Sequence, residues 1–236
     1  MSIFSRIAGL LTGGAGAVGT AVANLRAALA ALSDSDLRRQ AAFAIAMIAL
    51  SAKMAKADGV VTRPEVDAFC RMFTIPRGEE ANVSRVYNLA KQDVAGFETY
   101  ARDVARFLAD DAGMLEDLLD GLFDIAKADG AVHERELSYL ARVAKLFGFD
   151  EHAFARISAR HILGNGGDPY LVLDADPSWD TDRLRRHYRK LVSENHPDRL
   201  IARGVPEEFV RIANDRLATI NAAWDRIEAT RLSTPA

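Results

Sequence analysis

The chain carries a single cysteine, Cys70, among its 236 residues. No intramolecular disulfide can form and a thiolate metal cluster is excluded, which fits a reducing compartment. Net charge is nearly absent as well: 30 Lys and Arg stand against 33 Asp and Glu, a balance of -3 at pH 7. A protein whose main work is coating nucleic acid or acidic lipid carries a larger imbalance of one sign. Aromatic side chains make up only 8% of the chain, and no stretch alternates in the sustained way of a β-strand. Hydrolase signatures are missing too. There is no nucleophile elbow, no phosphate-cradling glycine loop followed by Lys-Ser/Thr, and no His-Glu zinc motif. His133, His152 and His161 do not share a metal-ligand spacing.

What is present is ordinary soluble composition, with 49% hydrophobic and 27% charged residues and a mean hydropathy of -0.04. That length and content suffice for one large core or two smaller ones. Ala, Leu and Arg dominate, so a mostly helical protein is expected.

One uncharged stretch stands out near the start, Ile7 to Leu25. Its length would just cross a hydrocarbon core, which takes about 20 apolar residues. It is rich in Gly, Ala and Thr, however, and holds Asn24, so its hydrophobicity is marginal. Gly9 and Gly13 form a GxxxG pair, with Ala17 at the next interval, the spacing that lets helices approach closely in a membrane. Residues 1–32 therefore read as an apolar leader, either soluble or membrane-associated.

Helical signals then accumulate. Ser33-Asp34-Ser35-Asp36 offers capping oxygens ahead of an apolar run from Ala41 to Ala57, expected to be a buried central helix. The run closes on Asp58-Gly59, and Thr62 with Glu65 starts another helix through a capping box. The same grammar returns 71 residues later: Ala55-Lys56-Ala57-Asp58-Gly59 becomes Ala126-Lys127-Ala128-Asp129-Gly130, and Glu65 becomes Glu136. An internal duplication building a helical bundle over 33–163 is the simplest account. Between the copies, Ala81 to Lys91 and Phe97 to Leu108 also read as helices, and Cys70 falls on an apolar face beside Phe69. Asp58 with Glu65, and Asp129 with Glu136, could each hold a hard divalent cation, yet capping alone accounts for all four.

Residues 164–167, Gly-Asn-Gly-Gly, mark a connector, and the texture changes after it. Asp168 and Pro169 open a short helix, and a longer one runs from Thr181 to Asn195. That helix clusters Arg183, Arg185, Arg186, Arg189 and Lys190 without an acid between them. It ends at His196-Pro197-Asp198, because proline disfavours helix at the residue before it. A loop is expected over Arg199 to Val205. A final helix follows over Pro206 to Arg231, with Phe209, Ile212, Leu217, Ile220, Ala223 and Ile227 on its apolar side.

Tyr188-Arg189-Lys190-Leu191, then His196-Pro197-Asp198, then Ile220-Asn221-Ala222-Ala223-Trp224 resemble a J-domain, over residues 168–236. The long connection after the tripeptide resembles the bacterial DjlA-type subgroup, and the duplicated Ala-Lys-Ala-Asp-Gly helices resemble its TerB-like domain. The resemblance implies an all-α chain: a duplicated TerB-like bundle, then a J-domain hairpin. It implies a co-chaperone of protein folding and stress response, not itself an enzyme, that stimulates the ATPase of a DnaK-type chaperone. His196, Pro197 and Asp198 would be the trigger, and Tyr188, Arg185, Arg186, Arg189, Lys190 and Arg199 would dock the partner. Trp224 and His187 depart from the smaller side chains common in the family, which implies altered packing and retained activity. The helical domain would supply client choice, dimerisation or location, with unfolded or specific proteins as clients, no nucleic acid and no required cofactor. The expected location is the cytoplasm, with the leader as a candidate inner-membrane attachment. A metal-binding or protein-binding stress scaffold with an accessory J-domain is the alternative.

Overall fold

The computed structural model of the chain describes residues 3–7, 29–30, 32–57, 69–70, 73, 75–92, 96–128, 130–162 and 167–233. Most of the leader, the Asp58-Gly59 turn with Glu65, Asp129, and the connector at 164–166 lie outside the described residues. Every regular element among the described residues is helical, so the all-α expectation holds.

Helix α1 (Ser35–Ala57) is the centre. Asp34 Oδ1 accepts the N–H groups of Asp36 at 2.9 Å and Leu37 at 3.1 Å, satisfying donors that a helix start leaves without partners. Every residue from Ala41 to Met54 is buried, as its all-round apolar sequence demands. Four helices enclose it: α2 (Glu80–Gln92), α3 (Phe97–Phe107), α4 (Ala112–Ala126) and α5 (Glu134–Phe147). The two helices read between the repeats thus appear within a residue or two of their expected ends. Tyr139 of α5 donates its buried hydroxyl to the Leu50 carbonyl at 2.8 Å, tying α5 to α1. Helix α6 (Glu151–Ile162) packs on α4.

The C-terminal part begins with α7 (Pro169–Leu173), where Asp168 Oδ1 accepts the Tyr170 N–H at 2.9 Å. Helix α8 (Thr181–Glu194) and helix α10 (Arg211–Ser233) form the expected hairpin. The connection differs from expectation. Residues 197–202 are a helix, α9 (Pro197–Ala202), rather than loop, and a 3-10 turn at Glu207–Phe209 precedes α10. Pro197 occupies the first helical position, where its fixed φ is already suited. His196 is the N-cap, and Leu200 is fully buried, anchoring the short helix from below.

Two apolar cores result, and α10 belongs to both. Ile220, Ala223, Trp224 and Ile227 pack with Val172, Leu173 and Leu184 in the smaller core. Ile212 and Ala213 of the same helix, with Leu200, Val205 and Phe209, join the larger core around α1. The crossing of α10 on α4 is close at Gly121. A Cβ on Gly121 would lie 2.8 Å from Ile212 Cδ1 and would also strike Met47 of α1. Ile3, Phe4 and Ile7 are buried against the larger core too. No helix among the described residues is long and apolar enough to cross a membrane.

Candidate functional site

The His196-Pro197-Asp198 turn lies on the surface at the end of α8. The side chains of His196 and Asp198 are 53% and 86% exposed, and Pro197 is half-buried. His196 Nδ1 accepts the Asp198 backbone N–H at 3.3 Å, which fixes the imidazole over the first turn of α9. Asp198 Oδ2 stands 3.4 Å from the same nitrogen. A carboxylate in a first helical turn is favoured by the helix dipole, and here it points to solvent with no buried partner holding it.

On α8, Arg186, Arg189 and Lys190 are exposed and spaced so that they share a face. Among the described residues Lys190 pairs with Glu194, at 3.8 Å. Arg199 is exposed beyond the turn. Arg185 and Tyr188 are directed elsewhere, into the hairpin. Arg185 pairs with Glu228 of α10 at 3.5 Å and Asp182 at 3.7 Å. Tyr188 is half-buried, stacks on Trp224 at 4.9 Å between ring centroids, and donates its hydroxyl to Asn221 at 3.0 Å. The large Trp224 is thereby accommodated by ring stacking. His187 meets the Leu173 carbonyl through Nε2 at 2.7 Å.

Beneath this surface lies a charged network that sequence reading missed. Helix α4 carries Glu116, Asp117, Asp120 and Asp124 among apolar residues, and the last three are buried. Their partners arrive from two other regions. From α6, Arg156 holds both Glu116 oxygens, at 2.9 and 2.8 Å, while Arg160 reaches Glu116 and, at 3.4 Å, Asp120. From the C-terminal part, Arg203 meets Asp117 at 2.9 Å, and Arg216 meets Asp117 at 2.6 Å and Asp120 at 2.5 Å. His161 Nε2 approaches Asp120 at 2.7 Å. Four acids on one apolar helix are a visible signal of buried pairing. Asp124 pairs locally with Lys127 at 2.7 Å, but the arginine partners of Glu116, Asp117 and Asp120 lie 40 or more residues away along the chain and are not visible from local pattern.

Burial pushes the Glu116 carboxyl up, but the guanidinium groups of Arg160 and Arg156 outweigh it and hold the group at about 2. Asp120 is likewise held well below the usual carboxylate range, with Arg160 and Arg216 overcoming its burial. A carboxyl depressed in the folded state stabilises above its unfolded pKa and loses that contribution as pH falls through its folded one. The stabilisation from Glu116 should therefore fade as pH falls from 4.5 to about 2. Urea denaturation midpoints across that range check this: the gap between the native chain and Glu116→Gln should close toward the acid end. A gap independent of pH would show that Glu116 acts through packing alone.

Glu136, a candidate metal ligand, accepts the His133 N–H at 2.9 Å as a cap of α5. The other three candidates, Asp58, Glu65 and Asp129, lie outside the described residues. Among the described residues no group of three His, Cys, Asp or Glu side chains is placed to hold a metal.

Residues 44–159 match the family of the tellurite resistance protein TerB. The chain is also similar to proteins named Co-chaperone protein DjlA. That of Photobacterium profundum is 29% identical over 215 residues, covering 80% of this chain and 78% of that protein. That of Vibrio parahaemolyticus is 27% identical over 229 residues, covering 84% and 81%. That of Legionella pneumophila is 23% identical over 231 residues, covering 81% and 78%. These likenesses extend beyond the TerB match. No solved structure matches the chain.

Proposed function

From the premise that this chain is of the DjlA type, with a TerB region ahead of its C-terminal helices, we propose that it is a co-chaperone that stimulates the ATPase of a DnaK-type chaperone. The observation that carries the reading is the exposed His196-Pro197-Asp198 turn at the end of a basic helix. Residues 168–236 act as its J-domain. Arg186, Arg189, Lys190 and Arg199 present positive charge to an acidic surface of the chaperone, which steers encounter and sets register. Asp198 then meets the chaperone's own charged network. Among the described residues its carboxylate stands near only the exposed imidazole of His196, and such surface contacts are weak, so the carboxylate is released at little cost. Pro197 fixes the direction in which it is offered. Arg185 and Tyr188 support this face from behind by joining α8 to α10. The TerB region provides client choice, dimerisation or location.

The test is the steady-state ATPase rate of a DnaK-type chaperone with the purified chain. Stimulation is expected, and Asp198→Asn or His196→Gln should remove it without moving the thermal melting point, since both side chains are largely in solvent. Rising salt should weaken the half-maximal concentration, because exposed charges are screened. Absence of stimulation by the unaltered chain, or full stimulation by Asp198→Asn, would overturn the reading.

A further inference from the structure

We infer that Asn195, Arg216 and Arg203 are positioning residues that clamp both ends of the Asp198-bearing helix to one buried carboxylate of the TerB region, Asp117. The inference takes its activity readout from the co-chaperone reading above. Its geometry stands independently of it.

The upstream tie starts at Asn195, the residue before the tripeptide and the C-cap of α8. Its backbone N–H and its side-chain Nδ2 both donate to the Leu191 carbonyl, at 3.0 and 2.8 Å. Its Oδ1 is left facing inward and accepts from Arg216 Nη1 at 3.1 Å. Arg216 is itself buried: its Nε donates to Asp120 Oδ2 at 2.5 Å, while its Nη2 makes an ion pair with Asp117 Oδ1 at 2.6 Å without hydrogen-bond geometry. The downstream tie is Arg203, the C-cap of α9, whose Nη2 donates to the other oxygen of Asp117 at 2.9 Å. Asp117 is thus held on one oxygen by Arg203, which directly follows Pro197–Ala202, and on the other by Arg216, which reaches the upstream flank through Asn195. A guanidinium is planar and presents its donors in a fixed fork, so a chain of such contacts transmits orientation where a lysine would not. Six residues of helix held at both ends have little freedom to swing. The exposed carboxylate of Asp198 is therefore presented at a set angle to α4. A hairpin alone would hold only the α8 end.

Asn195→Ala cuts the upstream tie while leaving Arg216 on its two carboxylates, so the buried charges stay paired. Arg203→Gln cuts the downstream tie at a partly exposed site. Each is expected to lower the maximal ATPase stimulation about fivefold, the factor carried by a single net hydrogen bond, with the half-maximal concentration nearly unchanged. Amide hydrogen exchange over residues 199–205 should quicken in both. Asn195→Asp, which again offers an oxygen to Arg216, should recover most of the stimulation. A merely structural role predicts instead a general loss of stability with no split between maximal effect and half-maximal concentration. Unchanged exchange, or quickened exchange with full stimulation, overturns the inference. If the unaltered chain fails to stimulate at all, the co-chaperone reading falls, and the exchange measurement alone decides the clamp.

Discussion

Phe209→Ala should destabilise the whole chain by about 3–5 kcal/mol, the usual cost of emptying a phenylalanine site that cannot collapse. Phe209 belongs by sequence to the C-terminal part, yet its ring is fully buried in the larger core. It lies 4.8 Å from the Phe73 ring, 5.2 Å from Phe43, 6.3 Å from Phe4 and 6.5 Å from Phe69, centroid to centroid. Those partners come from three separate stretches of chain, so no single side chain can move to fill the hole. The tilted and edge-on contacts are the favoured ones for aromatic pairs, and losing several adds to the lost burial. A guanidinium titration monitored by far-ultraviolet circular dichroism measures the loss. Leu232→Ala, at a side chain on the free surface, provides the control and should shift the midpoint within error. A loss below 1 kcal/mol at Phe209 would mean that the ring cluster forms without it.

Arg216→Met is expected to have an effect of the same order, about 3–5 kcal/mol, for an electrostatic reason. Methionine keeps much of the volume but strips a cation from between two buried carboxylates. Asp117 would retain only Arg203, and Asp120 would retain Arg160 and His161. Removing one partner leaves charge in a poorly solvating interior, and that residue of uncompensated charge dominates the cost. The accompanying changes Asp117→Asn and Asp120→Asn should then recover much of the loss, because they remove the stranded charges. Denaturant midpoints of the single and triple variants at neutral pH decide it. A triple variant no more stable than Arg216→Met would show that the guanidinium acts through its packing, as long charged side chains can.

Local structure was largely readable from the residues. The buried helix around Ala41–Met54, the caps at Asp34 and Asp168, the capping role of Glu136 and the hairpin of α8 and α10 all follow from spacing within about one turn, where sequence neighbours are spatial neighbours. The exposed tripeptide and the Arg186, Arg189 and Lys190 face were legible for the same reason. Other features required knowledge of distant partners. Arg199–Val205 read as loop because the helix that enters it, Pro197–Ala202, is only six residues long and is held by Leu200 inserting into a core that local pattern does not reveal. The contacts of Tyr188 and Arg185 with α10 were not legible, because α8 alone does not say which of its sides α10 covers. The Arg216–Asp120 pair spans 96 positions, and no period in the sequence links them. Phe209 looked like one more apolar residue of a hairpin, while its ring completes a core built by the first half of the chain.

Helix α10 runs for 23 residues, about 35 Å at the helical rise, and is embedded at one end in the larger core around α1 and at the other within the hairpin. It works as a beam shared by two rooms. A supple tether would let the exposed His196-Pro197-Asp198 turn sample all directions. A beam gives it a fixed bearing, at one distance and on one side of the first half of the chain.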